Sequence, residues 1–292
     1  MSFRLDHDSS ISRQVRRLAR REMDAALENL AGDQPHDDDV FEARKSLKKV
    51  RALLRLLRKP LGKDYQRFDA RLRAAAHALS HLRDADVTLD TLARLKGTYP
   101  TVLTPTVLRR VKHGLNVRRR RTRRHTAPYV ARARGVLERT RRAVPQRLER
   151  VARFRATRAG VVRSYRESRK AMTGLVLDSA APDFHEWRKR VKRHWYHVRL
   201  FEGLDRGARH RRATLHRLEK LLGEEHDIAV LEHLLVERPD RYGGAPATAR
   251  VLGGIAKAHT SLRRRALALG HRTFAEAPGD FDDTIKHWWR NG

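Results

Sequence analysis

Apolar residues recur along this chain at spacings of three and four, and no alternating stretch persists long enough to suggest a strand. The spacing predicts helices over 11–30, 40–58, a long segment 65–95, and 105–124. From there to Arg158 the phase is broken, because Pro128 and Pro145 interrupt it. The pattern restarts with helices expected at 161–177, 184–202, 208–237 and 245–269, followed by a less regular tail, 270–292, that holds Trp288 and Trp289. Gly, Pro or Asp stands at most of the joints, as expected where helices stop and start. The expected fold class is all-α.

Two of these helices repeat one signature. The first reads Asp39-Val40-Phe41-Glu42-Ala43-Arg44-Lys45-Ser46-Leu47-Lys48-Lys49-Val50, and 144 residues later the chain reads Asp183-Phe184-His185-Glu186-Trp187-Arg188-Lys189-Arg190-Val191-Lys192-Arg193-His194. Glu, Arg, Lys and Lys match in position, and the leading Asp of each is read as a helix N-cap. A second pair, beginning at Leu79 and at Leu222, recurs at an offset of 143. Two pairs at nearly one offset argue for duplicated helical bundles. The expected organisation is a single domain over 1–292, with an N-terminal half 1–155 and a C-terminal half 156–292.

Helical phase sorts the repeated signature into two faces. At about 100° per residue, Arg44, Lys48, Arg51 and Arg55 share a narrow arc, with Phe41 and Lys59 at its edge. Ala43, Leu47, Val50, Leu54 and Leu57 occupy the opposite side. In the second copy His185, Arg188, Lys192 and Arg199 fill the equivalent arc, while Trp187, Val191, Val198 and Phe201 face inward. Lys45 and Lys49 flank the first stripe, and Lys189 and Arg193 flank the second. Trp195 stands where the first copy has Arg51. No acid lies between Glu42 and Asp64, so the row repels itself along about 20 Å of helix. An extended polyanion relieves that repulsion, with Arg offering bidentate geometry and Lys a mobile point charge. His185, near the start of its helix, donates one hydrogen bond when neutral and two when protonated.

Composition strengthens the anionic expectation. The 292 residues hold 66 Lys or Arg against 34 Asp or Glu, a net charge of +32. Such an excess opposes compaction unless an anionic partner offsets it. Residues 109–170 alone carry 23 Lys or Arg against three acids, including Arg118 to Arg121, and their regular Val, Leu and Phe positions suggest an ordered basic wall rather than a tail. Cysteine is absent, which excludes disulfides and thiolate chemistry. The first residues lack the apolar stretch of a signal peptide, and no apolar run approaches the roughly 20 residues of a membrane span. The expectation is a cytoplasmic protein without membrane insertion.

The residues resemble the CHAD family, the conserved histidine α-helical domain. The resemblance is carried by His185-Glu186-Trp187-Arg188-Lys189 with Lys192-Arg193, by Phe41-Glu42-Ala43-Arg44-Lys45 with Lys48, and by Leu82-Arg83-Asp84-Ala85-Asp86-Val87. It implies two pseudo-symmetric antiparallel helical bundles, about four helices each, with a basic groove between them. It also implies binding of inorganic polyphosphate and association with polyphosphate granules. The residues expected to line the groove are Arg44, Lys45, Lys48, Lys49, Arg51, Arg55, His185, Arg188, Lys189, Lys192, Arg193 and Arg199. This chain departs from the family pattern at position 41, where Phe41 stands in place of histidine. Any histidine role therefore rests on His185.

Two other classes compete. Non-specific binding of DNA or RNA draws on the same charge, but aromatics are only 6% of the chain, and no zinc-finger, RNP or basic-zipper pattern is present. A metal-dependent phosphohydrolase reading of His226-Asp227 is weakened by its repeat partner Arg83-Asp84, since arginine does not ligate metal. Asp84 and Asp227 are instead expected to accept hydrogen bonds or to pair with stripe cations. His185-Glu186 lacks the second histidine of a zinc-binding His-Glu-x-x-His helix. The expectation is a binding protein without catalysis, metal or cofactor.

Overall fold

The computed structural model describes residues 3–6, 9–32, 35–101, 103–123 and 126–290, without the side chains of 81–85. Among these residues the chain is helical throughout and forms no strand. The first four-helix run is α1 (Ile11–Asn29), α2 (Asp37–Leu56), the single turn α3 (Arg58–Leu61) and α4 (Lys63–Ala78). Helices α5 (Ser80–Thr98), α6 (Pro105–Arg123), α7 (Ala127–Thr140) and α8 (Ala143–Val151) follow. The rest is α9 (Phe154–Met172), α10 (Ala181–Arg199), α11 (Arg206–Glu237), α12 (Ala245–Thr273) and α13 (Pro278–Arg290), with a 3₁₀ turn Pro239–Tyr242 before α12.

Helix starts keep the offset seen in the sequence: α1 and α9 begin at Ile11 and Phe154, α2 and α10 at Asp37 and Ala181, α4 and α11 at Lys63 and Arg206. Packing follows the same order, α1 on α2 and α8, and α9 on α10 and α13. The expected junction at 155 falls just inside α9, which begins at Phe154. The apolar interior does not divide at that junction. One large core draws Val15, Leu18, Leu47 and Val50 together with Trp187, Val191, Leu215 and Phe281. A smaller core joins Leu92, Leu95, Val111 and Leu115 to Leu231, Leu235, Val251 and Ile255. Both therefore contain residues from each half.

Four sequence expectations change. The helix expected over 161–177 runs Phe154–Met172 instead. The segment 65–95 is two helices: Leu79 caps the first, its N–H still held by the Ala75 carbonyl, and at the joint the Ser80 hydroxyl donates to the His77 carbonyl at 2.6 Å. At the matching place α11 runs unbroken through Gly223 for a total of 32 residues. The tail is regular, and α13 buries Phe281, Ile285 and Trp288 while Trp289 stacks on Phe154 at 4.9 Å. Finally, neither Asp39 nor Asp183 is an N-cap. The caps are His36 and Ala180, and both aspartates lie in the first turn, where Asp39 accepts from the His36 N–H at 3.1 Å.

Helices α2, α9 and α10 cross closely. A Cβ on Gly160 of α9 would overlap the Leu56 carbonyl oxygen, so only glycine permits the approach. Arg163 of α9 then donates to the Arg55 and Leu56 carbonyls at 2.6 and 3.0 Å, satisfying groups left open at the end of α2. From α10, the His197 Nε2 donates to the Ala52 carbonyl at 3.0 Å. Burial pushes the His197 pKa down to about 3, so the ring is neutral and serves as a fixed donor.

Candidate functional site

The two repeated basic helices face one another across a cleft of about 380 Å³. Helix α2 supplies Lys48, Arg51 and Arg55, α4 supplies Arg73, and α10 supplies Arg188, Lys189, Lys192 and Arg193. The lining acid is Glu186, and it pairs with Lys189. Ala52 forms part of the floor, and its carbonyl holds His197 from below.

Acids behind the cleft fix several of these cations. Arg51 donates to buried Asp69 of α4 at 2.9 and 3.3 Å, and Arg55 pairs with the same carboxylate at 3.6 Å. Burial alone would raise the Asp69 pKa, but the hydrogen bond and charge of Arg51, then Arg55 and Arg73, outweigh it and hold the carboxyl ionised. Lys192 pairs with buried Glu219 of α11, and Arg193 with Glu167 of α9 at 2.7 Å. Burial, followed by the nearby charge of Arg55, brings the Arg193 pKa down to about 10, still cationic at neutral pH. Each guanidinium carries five N–H donors, so a pair of bonds to an acid behind it leaves donors for the cleft.

Of the twelve expected ligands, seven line this cleft: Lys48, Arg51, Arg55, Arg188, Lys189, Lys192 and Arg193. The structure sends the other five elsewhere. Arg44 is buried and donates to the Ala76 carbonyl on α4 at 2.9 Å. Lys45 pairs with Glu42 at 3.0 Å on its own helix. Lys49 turns back to Glu22 of α1 at 2.8 Å, the counterpart of Arg193 turning to Glu167. Arg199 pairs with Glu202 at 3.7 Å and lies 5.8 Å over the Trp195 ring, which itself stacks on His216.

His185 is also directed away from the cleft lining. Its Nδ1 lies 3.0 Å from the Nδ1 of His226 on α11, with ring centroids 4.3 Å apart. Burial, then the charges of Lys189 and Arg188, lower its pKa, which keeps the ring neutral. Because the helix cap is Ala180, His185 sits beyond the open backbone N–H groups of the first turn. Asp227 pairs with Arg94 of α5 at 3.6 Å. Asp84 lies outside the described side chains.

Sequence reading missed Arg73 and the acids that organise the site. Arg73 has no cationic partner at the 143-residue offset, where the chain has His216, so the repeat gave no signal. Among the described residues, no group of three or more His, Asp or Glu is arranged to hold a metal ion. No described helix is long and apolar enough to cross a membrane. The basic segment 109–170 is helical across α6 to α9, and many of its arginines meet acids, among them Arg119 with Asp86, Arg123 with Asp37, Arg141 with Asp24 and Arg147 with Asp64. Arg124 lies outside the described residues.

Residues 11–236 match the family model described as the CHAD domain. The structure is similar to the crystal structure of the CHAD domain from the plant Ricinus communis, with a TM-score of 0.74 over 95% of this chain and 96% of that one. The two share 16% sequence identity, so this likeness concerns the fold. No curated protein matches the chain.

Proposed function

The chain belongs to the CHAD domain family, and from that membership we propose that it binds inorganic polyphosphate in the cleft between α2 and α10, without catalysis. Polyphosphate binding is the known role of the family, which is in general non-catalytic. The observation that carries the reading is the convergence of eight cationic side chains from three helices on one cleft whose lining acid, Glu186, is already paired. A linear chain of phosphates presents charge at short, regular intervals, which suits cations spaced one helical turn apart on two facing walls. Association with polyphosphate granules belongs to the same proposal.

The chemistry of the lining favours a bare phosphate chain over a nucleic acid. Single-stranded nucleic acids gain much of their affinity from bases stacked on exposed aromatic rings. Tyr196 is the aromatic residue that lines the cleft, and it is buried, while Trp195 is covered by His216. We read the two halves, 1–155 and 156–292, as paired walls of this single site rather than as independent binding units.

Binding measured at stepped salt concentrations tests the electrostatic basis. Log affinity for long-chain polyphosphate should fall linearly with log salt, because each neutralised phosphate releases condensed counterions. With seven or eight cleft cations engaged, affinity is expected to drop by about a thousandfold or more between 50 and 200 mM salt. A shallow dependence would show that the cleft cations do not carry binding. Incubation with a divalent cation should release no orthophosphate; release would overturn the non-catalytic reading.

A further inference from the structure

The basic cleft does not end where α2 ends. Glu167 of α9 accepts from Arg193, which lines the cleft, and on its other side pairs with Arg58 at 3.1 Å. Arg58 lines a second cleft of about 630 Å³ bounded by α3, α9 and the start of α13. Five cations line that second cleft, Arg58, Lys59, Arg158, Arg163 and Arg166, against the acids Glu167 and Asp282. Asp282 is taken by Arg158 at 3.3 Å, and Arg163 is fixed by the Arg55 and Leu56 carbonyls. Lys59 and Arg166 are exposed at its mouth. Arg55 of the first cleft and Lys59 of the second are four residues apart, about one helical turn. The two clefts have separate linings, bridged by the Glu167 carboxylate, which lines the second and accepts from Arg193 of the first.

At the opposite end of α2 the surface changes sign. A cleft of about 440 Å³ there is lined by Asp37, Asp38, Asp86, Asp90 and Asp227, with Arg94 and Arg119 as its cations. A polyanion leaving the first cleft meets acids in that direction and cations in the other.

We propose that the cleft of α3, α9 and α13 is a second phosphate-binding site, continuous with the first past Glu167, which takes up polyphosphate chains too long for the first cleft alone. The proposal rests on the reading of the first cleft as the polyphosphate site. Glu167 is the placeholder at the junction: an arriving phosphate competes with its carboxylate for Arg58 and Arg193. Affinity then rises with chain length, because the second site binds a segment already tethered in the first.

The test compares tripolyphosphate with long-chain polyphosphate on the wild-type protein and on the double variant Lys59→Glu, Arg166→Glu, which changes only exposed side chains. The wild type should bind the long chain more tightly than the short one. The double variant should lose about tenfold in affinity for the long chain and keep its affinity for tripolyphosphate unchanged. Equal weakening for both lengths, or none for either, would overturn the second site while leaving the first cleft as the binding site. Failure of the wild type to bind either length would overturn both readings together.

Discussion

Reversing one cation on each wall of the first cleft, Lys48→Glu with Arg188→Glu, is expected to lower the affinity for long-chain polyphosphate by about a hundredfold at near-physiological salt. Each substitution removes a phosphate partner and adds a repelling carboxylate, so the pair changes the cleft by four charges. Both side chains are half-buried at the cleft lining, and the Arg188 charge also helps to hold Glu219 ionised, so the variant's melting temperature is read alongside its binding and the loss is scored on folded protein. The structure also says which reversal to avoid. Lys192→Glu would set a second carboxylate against buried Glu219, and any lost binding would be confounded with lost folding. A control variant, Arg13→Glu with Arg20→Glu, makes the same change in net charge on a different cleft along α1. It should weaken binding by less than about threefold, since distant exposed charges are screened. Equal losses in the two variants would mean that net charge, not the cleft, holds the ligand.

The second large effect is on stability. Asp69→Ala should destabilise the fold by about 3–5 kcal/mol, because it leaves Arg51 and Arg55 without the buried carboxylate that compensates them. In a chain of this size that corresponds to a fall in melting temperature of roughly 10 °C. A variant melting within a degree of wild type would show that the pair contributes nothing to the fold.

The same ion pairs set the acid limit. Asp69, Glu22 and Glu219 all have pKa values below their ordinary ones: burial opposes the shift in each, but Arg51, Lys49 and Lys192 respectively overcome it. A carboxyl with a depressed folded pKa contributes stability that is fully present above its unfolded value, near pH 4, and is lost as pH falls through the folded value. Melting temperature should therefore hold between pH 7 and about 5 and fall steeply below about 4. The gap between wild type and Asp69→Ala should narrow over that acid range. A gap independent of pH would contradict the ionised pair.

The helices were largely legible because their ends are written locally. Ser10 begins α1 by accepting from the Arg13 N–H, Asp205 begins α11 by accepting from Gly207 and Ala208, and the α6 and α12 starts coincide with Pro105 and Ala245. The break at Leu79 was not legible, since it falls inside a segment of strong apolar period and its local mark is one serine hydroxyl bonded to the His77 carbonyl. Phase identified the stripe on α2 and α10 but not the fate of each cation on it. What removed Lys49 and Arg44 from the cleft lies on other helices, Glu22 on α1 and the Ala76 carbonyl on α4. Arg73 entered the cleft through the packing of α4 on α2, a contact no spacing within α4 encodes. The position of His185 within its helix differs for a local reason: with Ala180 rather than Asp183 as the cap, it falls one turn deeper into α10, where it meets His226.

Competition at near-physiological salt among long-chain polyphosphate, duplex DNA and tRNA tests the central claim most directly. Polyphosphate should displace both nucleic acids at lower phosphate-equivalent concentration than either needs to displace it. Stronger binding to duplex DNA or to tRNA would contradict polyphosphate as the ligand of the cleft.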